Sequence, residues 1–317
     1  MKKILSFLFV LILLAIGATM VFGNLKETFR TNFNTTTIEQ EETVSGNDAK
    51  TIEIHATSAN IKVVSADRED ISAKLSGDVS EKNKDKYKLI VKEVGGSVYI
   101  EVDQPKMEFQ IGTNINSLKL EVEVPKKTYT ELSTYSTSSD IEINSLTLDS
   151  LRTELTSGDI SVEGVTITDR YSIELTSGDV RIENTEAKVI AMEGTSGDIT
   201  FKEVLGDIQL VTTSGDILVW NVEGNIDVRT TSGDIDIENK RLTGNILVEV
   251  TSGDVNVQFD EAPSSLAVDY KGQSGKGTLD LDGMQYEENS VRKIKGKVGH
   301  GEYSLKVRTT SGDFRLN

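Results

Sequence analysis

Eight carboxylates recur in one repeated phrase, Thr-Ser-Gly-Asp: Asp140, Asp159, Asp179, Asp198, Asp216, Asp234, Asp254 and Asp313. The preceding residue is Gly158, Gly178, Gly197, Gly215, Gly233, Gly253 or Gly312, with Ser139 in the first copy. From Ser139 to Gly253 the steps are 19, 20, 19, 18, 18 and 20 residues. Stacked at strand spacing, such aspartates lie roughly 5 Å apart and repel one another. Two chemistries relieve that repulsion. Each aspartate can cap its turn by accepting backbone N–H groups. Alternatively, the ladder Asp159, Asp179, Asp198, Asp216, Asp234 and Asp254 binds calcium, as in β-rolls built from paired nonapeptides. Those rolls carry Gly-Gly-x-Gly-x-Asp, whereas each corner here has one Ser-Gly-Asp and often no second acid opposite. Turn capping is the favoured reading.

Other reactive constellations are missing from the sequence. There is no cysteine, so thiol catalysis, CxxC zinc sites and disulfides are excluded. The two histidines, His55 and His300, lie far apart, and no GxSxG, HExxH, P-loop or dinucleotide phrase occurs. A carbohydrate-active β-helix enzyme using paired carboxylates is the residual catalytic alternative, but no acid stands out from the repeat. No catalytic residue, cofactor or metal is assigned, and the chain is expected not to be an enzyme. Threonine stands two residues before the glycine slot in every copy, from Thr137 to Thr310. Stacked threonines are good strand formers, and a flat ice-binding Thr-x-Thr face is not present.

The elements that position these columns are strands. Two residues after the glycine slot stand Ile141, Ile160, Val180, Ile199, Ile217, Ile235, Val255 and Phe314. Four after it stand Ile143, Val162, Ile182, Phe201, Val219, Ile237, Val257 and Leu316, mostly with a polar residue between. That alternation marks strands with one buried face. A second phrase, at Gly206-Asp207, Gly224-Asn225 and Gly244-Asn245, falls nine residues before the next phrase glycine and supplies a second corner. The expected fold is an all-β, single-chain, flattened β-solenoid with about 18–20 residues per coil and β caps. Eight copies would span roughly 35–40 Å. Alternation turns Leu218 and Trp220 outward, and this apolar pair is the candidate partner contact. The alternative is that the 260–305 excursion covers it.

The expected domain order is a transmembrane anchor or signal segment (1–23), a flexible acidic, Thr-rich stalk (24–50), an N-terminal β cap (51–130) and the repeats (131–317). The repeats contain an irregular excursion at 260–305, with Ser274-Gly275-Lys276 as a decayed copy and Arg292, Lys293, Lys295 and Lys297 as its densest basic cluster. That cluster reads as a solvated edge guarded by lysines. Ile4 to Phe22 is uncharged and, as a helix, long enough to cross a bilayer. Lys2 and Lys3 before it favour a single pass with the N-terminus inside and the body outside at the cell membrane. Secretion after signal cleavage is the alternative. Those two lysines belong to the 34 basic residues, so the body carries 32 against 51 acidic ones, a formal −19. Such a body repels nucleic acid and anionic head groups.

The recurring Thr-Ser-Gly-Asp-Ile/Val phrase after an export segment resembles the bacterial putative-adhesin β-repeat family, a domain family of unassigned function. With its Lys-Lys-led anchor and acidic stalk, the chain looks most like the LiaG-type envelope proteins of Gram-positive bacteria. The resemblance covers residues 51–317 and implies a link to envelope stress responses. The expected function is a non-catalytic, membrane-tethered extracellular β-solenoid that binds or scaffolds a cell-envelope protein or wall polymer. A purely structural spacer is the alternative.

Overall fold

The computed structural model describes residues 35–104 and 117–317. The anchor expected over 1–23 lies outside them, and among the described residues no helix is long and apolar enough to cross a membrane.

The N-terminal section contributes β1 (Thr35–Ser45), β2 (Thr51–Ala56), β3 (Asn60–Ala66), β4 (Asp70–Ser80), β5 (Lys88–Val94), β6 (Ser97–Asp103) and β7 (Ser117–Pro125). The regular repeat contributes β8 (Thr128–Ser138), β9 (Ile141–Asn144), β10 (Thr147–Ser157), β11 (Ile160–Glu163), β12 (Thr166–Ser177) and β13 (Val180–Ser196). It continues through β14 (Ile199–Ser214), β15 (Ile217–Glu223), β16 (Ile226–Ser232), β17 (Ile235–Asn239), β18 (Ile246–Ser252) and β19 (Val255–Phe259). The C-terminal section adds β20 (Leu266–Gly272), β21 (Gly277–Leu279), β22 (Gln285–Ser290), β23 (Lys293–Val298), β24 (Tyr303–Ser311) and β25 (Phe314–Leu316).

Each coil lays one strand segment on each of two faces. On the first face β8, β10, β12, the second halves of β13 and β14, β16 and β18 pair in parallel. On the second, β9, β11, the first halves of β13 and β14, β15, β17 and β19 do the same. Partners such as Ile141 with Ile160, Ile160 with Val180 and Ile199 with Ile217 are one repeat apart. The two apolar columns foreseen in the repeat are buried along their whole length between the faces. Each such aliphatic side chain contributes about 1.5–3 kcal/mol by leaving water.

Both ends of the stack are threaded out of sequence order. β2 pairs in parallel with both β6 and β8, and β3 with both β7 and β9. The coil formed by β2 and β3 is therefore held between β6 and β7 on one side and β8 and β9 on the other. At the other end β24 pairs with both β18 and β20, and β25 with both β19 and β21. Antiparallel strands then close each end: β5 on β6, β4 on β7 and β1 on β4, and at the C-terminal end β23 on β20 and β22 on β23.

Several expectations change accordingly. Within the stalk expected over 24–50, Thr35–Ser45 is strand β1, paired antiparallel with β4 along its whole length. Its β-branched threonines and the half-buried Ile38 and Val44 suit an outer strand laid on the stack. No break in pairing marks residue 130, because β2 and β3 are themselves a coil of the stack. Inside the 260–305 excursion the decayed copy is a working corner: Gly275 has φ +99°, and Lys276 donates its backbone N–H to Asp313 Oδ1 at 2.9 Å. The last copy in the sequence is not the last coil in space. With these added coils the first face holds fourteen strands, about 60 Å at sheet spacing rather than the shorter rod expected from eight copies.

Candidate binding surfaces

The aspartate ladder forms as one column, and its chemistry is inter-coil. Asp198 donates its backbone N–H to Asp179 Oδ1 at 2.8 Å, and Asp216 donates to Asp198 Oδ1 at 3.0 Å. Asp234, Asp254 and Asp313 continue the series, each bonding the carboxylate one coil earlier. Asn60 starts it by accepting from Asp140 N at 3.0 Å. Each carboxylate thus caps the neighbouring coil, where its own turn had been expected. This answers the repulsion: one oxygen of each carboxylate in the row accepts a backbone N–H from a neighbouring coil. Among the described residues no group of three or more His, Cys, Asp or Glu is disposed to hold a metal ion.

The second corner repeats the device with less charge. Asn225 N bonds Asp207 Oδ1 at 2.8 Å, and Asn245 N bonds Asn225 Oδ1 at 2.9 Å. At the first corner the glycines are fixed by space. A Cβ on Gly215, whose φ is +123°, would fall 1.9 Å from Gly197 O. Backbone of successive coils touches there, so no side chain fits.

Outward residues of the first face form a column across the coils in register. It runs Glu101, His55, Tyr135, Glu154, Glu174, Glu193, Val211, Arg229, Glu249, Arg308, Lys271. Beside it runs the exposed threonine column, and the two rows wall a groove of about 700 Å³ at the N-terminal half. Leu155, Leu175 and Gly194 line the same groove. His55 stacks on Tyr135 with ring centroids 4.7 Å apart and leans on Tyr99 at 5.2 Å. Its Nε2 lies 2.5 Å from Glu53 Oε1. Arg152 bonds both Glu154 and Glu174, and Glu154 foremost raises its already high pKa. Burial, then the charge of Glu101, pushes the Tyr99 hydroxyl up. The groove thus offers aromatic faces and carboxylates, a surface suited to sugars or cationic groups.

Leu218 and Trp220 face outward on β15, on the second face. Leu218 is 37% exposed, set between Thr200 and Asp236 in register. Trp220 is half-buried, with Lys202 Nζ 5.1 Å from its ring centroid and Glu238 as its other cross-strand neighbour. The 260–305 excursion does not lie over them. Its strands pair at the C-terminal end of the stack, β20 and β23 on the first face.

Sequence reasoning missed the groove column although the repeat contained most of it. Tyr135, Glu154, Glu174, Glu193, Arg229, Arg308 and Lys271 all stand four residues before the glycine slot. Only His55 and Glu101 were beyond reach, because they join the row through out-of-order coils.

A family model described as Toastrack DUF4097 matches residues 49–223 and again 208–317. No curated protein matches the chain. Several solved structures are similar. One from Parabacteroides distasonis, described as a putative lipid binding protein, is 14% identical with TM-score 0.49, covering 90% of this chain and 98% of that one. A putative adhesin from the same species is 12% identical with TM-score 0.45, covering 88% and 97%. Another putative adhesin, from Bacteroides fragilis, is 12% identical with TM-score 0.42, covering 88% and 97%.

Proposed function

The chain belongs to the Toastrack DUF4097 family, and on that premise we propose that it is a non-catalytic, membrane-tethered extracellular scaffold that binds cell-envelope components. Residues 1–23 serve as the single-pass anchor, N-terminus inside, and the stack stands outside. The observation that supports binding is the groove of the first face, where outward aromatic and acidic side chains repeat in register across five successive coils from His55 to Glu193. A regular row of this kind presents the same contacts at each step to an extended partner, which suits a polymer or a peptide strand. Leu218 and Trp220 offer a second, smaller contact on the opposite face.

The test is crosslinking on intact cells from photoreactive residues at Thr176 in the groove wall and at Leu218 and Trp220. Capture of a wall polymer or one membrane protein at Thr176 is the expected result. Capture confined to Leu218 and Trp220 would move the contact to the second face. Surface-displayed protein giving no adduct at any position would overturn binding and leave the structural spacer.

A further inference from the structure

Six of the eight lysines and arginines that the sequence scatters from 271 to 308 converge on one surface. β24, β20 and β23 are consecutive strands, and their registers place Arg308, Lys271 and Lys293 in one cross-strand row. The neighbouring row holds Lys306, Asp269 and Lys295, and Lys297 follows on β23. Six cations therefore surround a single acid on three adjacent strands of a chain whose formal charge is −17. Guarding of a sheet edge does not account for this. The edge strand is β22, which carries Glu287 and Glu288, while β20 and β24 are interior. Lys271 faces a like charge on both sides, an arrangement that costs stability.

The row also borders a depression of about 470 Å³, the C-terminal continuation of the first-face groove. Arg229, Glu249, Lys271, Gln273, Arg308 and Thr310 are among the residues that line it. The ion pairs of Arg308 with Asp269 at 2.6 Å, of Lys295 with Glu287 at 2.6 Å and of Lys293 with Glu288 leave Lys271, Lys297 and Lys306 as cations with no ion-pair partner among the described residues. The outward ammonium, guanidinium, amide and hydroxyl donors of Lys271, Arg308, Gln273 and Thr310 are more than a carboxylate's two oxygens can use; a tetrahedral phosphate suits them better. The nearest acid of the column, Glu249, stands one strand from Arg308 and is held by Arg229 Nε at 3.2 Å; Glu193 lies four strands from Arg308, about 19 Å, against a screening length of about 8 Å in physiological salt.

We propose that this C-terminal end of the groove binds a phosphate-bearing polyanion. The proposal rests on the envelope-binding reading and names the partner chemistry of one end of the same groove.

Full-length protein in neutral detergent is titrated with linear polyphosphate at 50 and 300 mM NaCl. Lys271→Gln with Lys306→Gln is compared with Lys202→Gln with Lys240→Gln, which removes equal charge from the rest of the stack. The expected result is binding that weakens with salt, at least tenfold weaker in the first pair and unchanged in the second. Because Lys271 sits between like charges, its variant should melt no lower than the parent, so a loss of binding is not a loss of fold. No binding at 50 mM NaCl, or equal losses in both pairs, overturns the proposal. A parallel arm uses phosphatidylglycerol vesicles. Vesicle binding without polyphosphate binding would assign the patch to a lipid surface and also overturn it. Crosslinking at Thr176 is independent of these lysines, so its success beside a negative titration would leave the broader reading standing.

Discussion

At the scale of single residues, the phrase aspartates are structural acceptors whose charge is incidental. Asn225 and Asn245 do the same work at the second corner with a neutral amide oxygen, accepting from Asn245 N and Ser304 N. Asp198→Asn should therefore keep the bond from Asp216 N and shift stability by no more than about 0.5 kcal/mol. Removing the acceptor in Asp198→Ala strands that N–H and should cost about 1 kcal/mol by thermal or urea unfolding. Equal losses in the two variants would show that charge matters after all. At the glycine beside the next aspartate, Gly215→Val drives a side chain into Gly197 O and should cost about 3 kcal/mol or more. Asp236→Asn, on the exposed face of β17, should change the melting temperature little.

At the scale of elements, the threaded ends distinguish this stack from a simple repeat array. In a simple array the terminal unit contacts one neighbour, so its loss leaves the pairing of the other units intact. Here the final residues in sequence form an internal coil, with β24 between β18 and β20. Deleting residues 303–317 removes the buried Leu305, Val307, Phe314 and Leu316 and separates β20 from the stack. The expected outcome is loss of the whole C-terminal section, seen as early amide exchange across 266–298 and a lower unfolding midpoint. Protection of 266–298 equal to that in the parent would show that the section docks without its intervening coil. The same threading explains why the sequence order of copies misjudged which coil is terminal.

At the scale of the whole molecule, the formal −17 is spread along a thin stack with few places to hide it. Self-repulsion should make stability rise with salt, because the screening length falls from about 30 Å at 0.01 M to about 8 Å at 0.15 M. Melting temperatures should therefore climb by several degrees between those concentrations. Calcium and magnesium at matched ionic strength should act alike, since one oxygen in each of the phrase aspartates from Asp140 to Asp313 already accepts a backbone N–H. A rise specific to calcium would restore the metal ladder.

The amino-acid sequence alone determined the repeat, the strand periodicity, the two corners and both buried columns. Each of these is written locally: alternation names the inward face, and glycine marks where the chain must turn tightly. The Asp column was legible too, though its partners were not, because a bond to the next coil looks the same in sequence as a bond within a turn. Tertiary structure decided the rest. Which coil follows which at the ends depends on strand pairing between segments tens of residues apart, and nothing local encodes it. For the same reason His55 was a lone histidine in the sequence and one member of a surface row in the fold. Likewise, Lys271, Lys293 and Arg308 became neighbours only when β20, β23 and β24 were laid side by side.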